Sequence, residues 1–379
     1  MDRFTIPRDL YYGRGALSRL KQLNGSRAML VCGAAARQSG FLRRAEGFLQ
    51  EAGMLVRPFV CTPGGPTLAL ALTGAKAMQE FKPGWIVALG GEESISAAKA
   101  MWAFYEDPGL TPRAFLEEGR LPLLRRQARM AAAPAGGGGE AALGGAAFLL
   151  DPAQGRRHLL RHPVLAPDMA IIDPDLAAPC SGTILARGGM AALSQALEAM
   201  FHGQASLAYP LALHAACVIF DKLQPAAGGD VAARTMLHEG QCMAGLAFSN
   251  APAGLCTAMA AELCVAFYKP LPTGIAEAVC LPLTLSRDPG AKNAAARICA
   301  SLGYPGECLE ALRSRIILLR GGLDMPESLQ AFGIEEAEFL SKLPDLCKRL
   351  SHTSILPKNR CPTPKAVSYT HLTLPTNRE

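Results

Sequence analysis

Residues 85–99 read WIVALGGEESISAAK. Five apolar residues run on without polar alternation, Gly90-Gly91 breaks them, and an Ala-rich stretch follows. That order predicts a strand buried on both faces, a tight turn and a helix. The same grammar recurs on either side. Residues 28–32 (AMLVC) end at Gly33, residues 54–60 follow a helix-like stretch and Gly53, and residues 169–172 (MAII) end at Asp173-Pro174. Apolar strands alternating with helices predict an α/β half with a doubly wound parallel sheet. Such sheets bind ligands beyond the carboxyl ends of their strands, which is where Gly33 and Gly90-Gly91 fall.

After Ser181 the character changes. Residues 184–201, 209–223 and 232–248 are rich in Ala, Leu and Met, and β-branched runs become scarce. An all-helical second half is expected, with the boundary near residues 178–182. No internal repeat interrupts this plan.

Bulk properties agree. The 379 residues are 50% hydrophobic and 18% charged, enough apolar material for two cores and too little charge for extended disorder. The net charge of +6 is modest. Arg120, Arg125, Arg126 and Arg129 cluster without interleaved aromatics, which reads as a solvated face and argues against a nucleic-acid partner. The twelve cysteines form no Cys-x-x-Cys pair and mostly sit in apolar contexts, a usage that suits a reducing cytosol. The opening MDRFTIPRDL lacks the apolar core of a secretory signal, and no apolar run reaches the ~18 residues of a membrane span. A cytoplasmic location with no membrane partner is therefore expected.

Five collinear segments resemble the iron-containing alcohol dehydrogenase family. They are FTIPRDLYYGRGAL (4–17), FKPGWIVALGGEESISAAKAMWAFY (81–105), PDMAIIDPDL (167–176), GGMAALSQALEAM (188–200) and AGLAFSNA (244–251). The resemblance runs from about Phe4 to Pro364. It implies a dinucleotide-binding domain over residues 1–180 and a helical domain over residues 181–366. It also implies NAD(P)-dependent oxidation of an alcohol in the cleft between them, at a divalent iron or zinc. Such a metal lowers the hydroxyl pKa so that hydride can leave carbon. The family supplies one Asp and three His ligands. The first two sit four residues apart in a pattern like GMDALTHA, on one helical face.

Here those positions hold other residues. The Asp position is Ala191 and the first His position is Gln195. The second His falls on Thr257 and the third on Thr273, or on Leu271 if no gap is allowed. Ala261 stands where a further His would relay a proton. Of the seven histidines only His158 and His162 have i, i+4 spacing. They fall in a segment resembling a surface hairpin, where that spacing brings no two residues together. Glu262 and Glu277 lie near the old site in sequence, but two carboxylates alone hold Fe²⁺ or Zn²⁺ weakly. No metal and no catalytic residue is therefore expected.

The nucleotide side departs from the family too. A loop like GGGSPIDAAK, whose helix N-terminus receives the pyrophosphate, reads GGEESISAAK here. Glu92 and Glu93 would meet phosphate at a cost of ~4 kcal/mol for one like-charge contact at ~4 Å in an effective dielectric of ~20. The same glutamates would satisfy the helix dipole in its place. A second loop like PSTSGTGSE reads PAGGGGEAA at residues 134–142, without the hydroxyl donors. What survives gives the expected cofactor contacts: Gly33, Gly90, Gly91, Ser94, Lys99, Gly136, Gly138 and Arg157, the last keeping the charge of a family lysine. Gly33 lacks an acidic neighbour that would favour NAD, so weak NADP binding is expected at most. The sequence thus predicts a metal-free pseudoenzyme serving as a structural or regulatory partner, in a homo-oligomer or with other family members. The alternatives are an active NAD(P)H-dependent alcohol or aldehyde oxidoreductase with an atypical site, and a small-molecule binding module that uses the cleft between the two halves.

Residues 367–376, VSYTHLTLPT, resemble an in-frame translation of a sequencing adapter rather than the family's last helix. Residues 367–379 are accordingly expected not to belong to the fold, and a further short helix is expected in the natural protein.

Overall fold

The structure is a computed structural model. It describes residues 3–62, 64–116, 121–152, 154–201, 206–304, 308–353 and 355–356. Segment 367–379 lies outside them, as do His202, His371 and Arg120.

Six strands form one parallel sheet: β1 (Asp9–Tyr12), β2 (Arg27–Cys32), β3 (Leu55–Val60), β4 (Trp85–Gly90), β5 (Arg129–Pro134) and β8 (Met169–Ile172). Their order is β1-β8-β5-β4-β2-β3. An antiparallel hairpin of β6 (Ala146–Asp151) and β7 (Arg156–Arg161) stands apart. The helices of this half are α1 (Ala34–Gln38), α2 (Phe41–Glu51), α3 (Leu68–Phe81), α4 (Glu92–Glu106), α5 (Pro112–Leu116) and α6 (Gly139–Leu143).

The unbroken apolar runs are explained by two cores. Met29, Val31, Ile86 and Ala88 face α3 and α4 in one. Leu30, Cys32, Val87 and Leu89 face Leu42, Ala45 and Leu49 of α2 in the other. Alternate residues thus fill opposite faces of the same strands, and both faces are dry. Polar anchors lock the sheet's edge. Asp173 accepts from the backbone N–H groups of Gly15 at 3.1 Å and Leu17 at 3.0 Å, at the end of β8. Arg125 is exposed, as expected of a solvated face, and it also bonds Asp168 through Nε at 2.8 Å and stacks over Trp102. A long side chain next to a buried carboxylate finds a better partner than water.

The second half is helical among the described residues. It comprises α7 (Gly182–Phe201), α8 (Ala208–Ala227), α9 (Val231–Ser249), α10 (Leu255–Leu263), α11 (Thr273–Thr284), α12 (Ala291–Leu302), α13 (Cys308–Gly321), α14 (Leu329–Phe332) and α15 (Glu336–Ser351). They share a third core rich in alanine. Small side chains let helices approach closely, and α9 meets α6 at such a point. A Cβ on Gly245 would lie 2.1 Å from the backbone nitrogen of Glu140. That contact sets the α6 turn of the first half against the helical half.

The eleven described cysteines are free thiols. No described helix is long and apolar enough to cross a membrane. His158 and His162, expected to be exposed, are half-buried. His158 lies in β7 and the Nδ1 of His162 accepts from Val164 N at 3.1 Å. The hairpin packs on the body of the protein, which the local sequence did not reveal.

Candidate active-site cleft

At the carboxyl ends of β4 and β5 a cleft of about 440 Å³ opens between the sheet and the helical half. Gly33, Gly91, Ser94, Gly136 and Gly138 line its sheet side. Ala191, Gln195, Gln241, Thr273 and Glu277 line its helical side. Gly90 lies just before this wall with φ of 132°, a conformation open to glycine. The hydroxyl of Ser94 donates to the Gly91 carbonyl at 3.2 Å.

Two of the expected cofactor contacts are placed differently. Lys99 is wholly buried, away from the cleft lining, and its Nζ donates to the carbonyls of Gly144 at 2.6 Å and Ala146 at 2.7 Å. Burial drives its pKa down to about 7, against the opposing pull of Glu140. It is a strut joining α4 to the start of β6, because its chain runs inward from α4 to these two backbone oxygens. Arg157 reaches the back of the cleft wall and not its open space. Its guanidinium pairs with Glu92, donates to Thr273 Oγ1 at 2.8 Å and lies over the Phe148 ring at 4.2 Å from the centroid. Burial opposes its charge, but Glu92, Cys264 and Glu277 together outweigh that and hold it protonated.

The donor set does not suit a metal. Ala191 offers a methyl group. Gln195 bonds Glu140. Thr257 is buried off the cleft, with Oγ1 donating to Glu198 at 2.7 Å. Thr273 starts α11, faces the cleft and accepts from a guanidinium; Leu271 is buried elsewhere. A fixed cation therefore stands against the best remaining oxygen, and hard neutral oxygens alone hold Fe²⁺ or Zn²⁺ poorly. Among the described residues no three His, Cys, Asp or Glu side chains are grouped to hold a metal. Glu262, near the site in sequence, is turned away to Arg156 at 3.6 Å and Arg349 at 3.5 Å.

The glycine loop and the head of α4 are in direct contact. A Cβ on Gly138 would lie 2.6 Å from the Glu92 nitrogen, so the glycine loop rests directly on the first turn of α4. That turn carries Glu92 and Glu93. The expected repulsion is redistributed, since Arg157 neutralises Glu92 while Glu93 stays exposed. A phosphate at this turn would lie beside the Glu92–Arg157 ion pair.

The carboxylates of the cleft are unusual. Glu140 is 3% exposed, and burial, then Glu92, push its pKa up to about 7. Burial raises that of Glu277 well above the ordinary carboxylate range, with Arg157 pulling the other way. Glu140 and Gln241 were not singled out in the sequence. A lone Gln inside an Ala- and Met-rich helix and a Glu ending a glycine run were the only available signals.

A parallel sheet with a glycine-lined crevice at its carboxyl ends, closed by a helical half, defines a two-part nucleotide-dependent oxidoreductase scaffold. Residues 7–174 match the family model for iron-containing alcohol dehydrogenase, and residues 185–361 match that for the C-terminal part of the Fe-containing alcohol dehydrogenase family. The chain belongs to the iron-containing alcohol dehydrogenase family. It is 34% identical to the NADPH-dependent butanol dehydrogenase of Clostridium saccharobutylicum over 356 residues, covering 92% of this chain and 91% of that one. It is 29% identical to the 1-propanol dehydrogenase PduQ of Salmonella typhimurium, covering 91% of each. The iron-containing alcohol dehydrogenase of Thermococcus thioreducens has the same fold, with a TM-score of 0.87, 26% identity and 98% of both chains covered.

Proposed function

We propose that this chain keeps the family scaffold without metal-dependent hydride transfer, and acts as a structural or regulatory partner in a homo-oligomer or with other family members. One observation carries the reading: the Arg157 guanidinium is bonded to both Glu92 and Thr273. A single ion pair occupies a metal-ligand position and the phosphate-facing turn of α4. Hydride transfer by the family route needs a Lewis acid on the alcohol oxygen, and these side chains supply none.

The second reading is NADPH-dependent reduction of a short-chain aldehyde by an atypical site. It is favoured by the 34% identity to the NADPH-dependent butanol dehydrogenase. Metal analysis after iron and zinc loading, together with NADPH oxidation in the presence of butyraldehyde, separates the two. The quadruple variant Ala191→Asp, Gln195→His, Thr257→His, Thr273→His serves as the metal-binding control. The first reading predicts less than a tenth of a metal per chain and no turnover above background in the wild type. About one tightly bound metal per chain with turnover would refute it.

A further inference from the structure

The cleft has unmet hydrogen-bonding capacity. Gln241 is 2% exposed and neither atom of its amide has a partner among the described residues. Glu277 is 2% exposed and its Oε2 is likewise unpartnered, as is the Oε1 of Glu92. All three residues line the same cleft. A buried polar atom left unbonded costs roughly 1–3 kcal/mol, more when charged, so a ligand that satisfies these atoms is strongly favoured.

The kind of ligand follows from the surplus. Three of the four unpartnered atoms are oxygens; burial favours the protonated form of Glu277 in the free chain, so seating an ammonium on it releases that proton to solvent. The carboxylates of Glu92, Glu93, Glu140 and Glu277 line the cleft, whereas Arg187 is the one described cation among the lining residues. Arg157, behind the wall, is already held by Glu92 and Thr273. Among the described lining residues an anion would find only Arg187 to offset its charge, with Glu93 opposing it. A metal ion is disfavoured because no three ligating side chains are grouped to hold it. An organic ammonium has no such demand, since each N–H bonds one acceptor independently. Phe148, Ala191 and Ala192 add an apolar stretch to the wall, suited to a short methylene chain. The amide of Gln241 can donate and accept together, which suits a hydroxyl. The volume of about 440 Å³ lies within the usual range for small-molecule sites, ~300–1,000 Å³.

We propose that the cleft is a binding site for a small amino alcohol, its ammonium group seated on Glu277 and its hydroxyl on Gln241. This deepens the metal-free reading and rests on it. The old reaction cleft is then a receptor pocket of opposite charge preference.

The test is calorimetry on the full chain with 4-aminobutan-1-ol, against 1,4-butanediol and 4-hydroxybutyrate as chain-matched neutral and anionic probes. The amine is expected to bind on the order of 30-fold or more tightly than the diol, as for a buried charged hydrogen bond, and the acid not at all. Glu277→Gln, nearly isosteric, should erase that preference while the melting curve stays cooperative. Gln241→Leu should weaken the amino alcohol but leave n-butylamine unaffected, isolating the hydroxyl contact. Equal binding of amine and diol overturns the proposal, as does no amine binding at millimolar concentration. Metal content and NADPH turnover are measured on the same sample. A metal-bound, active preparation sinks the metal-free reading, whereas a metal-free preparation that ignores the amine sinks this inference alone.

Discussion

Glu198 and Glu277 are both buried glutamates of the helical half, 1% and 2% exposed, and they are treated in opposite ways. Glu198, on α7, accepts from Gly254 N at 2.9 Å, Thr257 N at 3.0 Å and Thr257 Oγ1 at 2.7 Å, so it caps α10 from a neighbouring helix. Glu277, on α11, keeps an oxygen with no partner. The first is part of the frame and the second faces the cleft. A carboxylate buried for structure gathers donors, because desolvation without them is costly. One left open is a place where the fold has been shaped for something else.

The sharpest way to break that contrast is to remove each carboxylate. Glu198→Ala strands two backbone donors and a hydroxyl in the core. A loss of about 3 kcal/mol or more is expected, read as a lower midpoint in urea. Glu277→Leu removes an orphan acceptor and should be neutral or stabilising by about 1 kcal/mol. Comparable losses in both variants would mean that the cleft glutamate is structural too.

A second, smaller effect is expected in the pH dependence. Glu140 has a folded pKa of about 7 against an ordinary 4.5. The folded chain therefore holds its proton where the unfolded chain has released it. The stability this contributes is complete below pH ~4.5 and lost as pH rises through ~7. His238, whose burial lowers its pKa to about 4, runs the other way between about 4 and 6.5. The Glu140→Gln variant isolates the first term. Its melting temperature relative to wild type should improve by ~2–4 °C or more between pH 5 and 8. A difference independent of pH would remove Glu140 from the titrating set.

The smallest effect concerns the turn at the head of α4. Glu92→Gly with Glu93→Ser frees Arg157 and clears both carboxylates, so NADPH affinity should rise ~10-fold. Glu93→Ser alone removes a screened, exposed charge and should change it about two- to threefold. Fluorescence titration of NADPH checks both. If the single change equals the double, the Glu92–Arg157 pair is no obstacle to the nucleotide.

Legibility differed in the same way between frame and cleft. The strands could be read because runs such as AMLVC and WIVAL are apolar on both faces, and the helices because their composition changed after Ser181. The glycines lining the cleft were readable as turn residues at strand ends. Lys99 was not. Its sequence neighbours resemble a cofactor segment, and only the approach of the Gly144 and Ala146 carbonyls makes it a strut. Arg157 was expected to meet a nucleotide, and its ion pair with Glu92 joins residues 65 positions apart.

The sequence by itself determined the family and the parallel sheet followed by helices. Those follow from residue type and local order, which act over a few positions. Only the tertiary structure decided which buried polar groups are satisfied and which are left open. Hydrogen bonding is settled by the geometry of donors and acceptors brought together from distant parts of the chain. Thus Glu198 found the N-terminus of α10, Arg157 found Glu92 and Thr273, and Gln241 and Glu277 came to face the cleft without a partner.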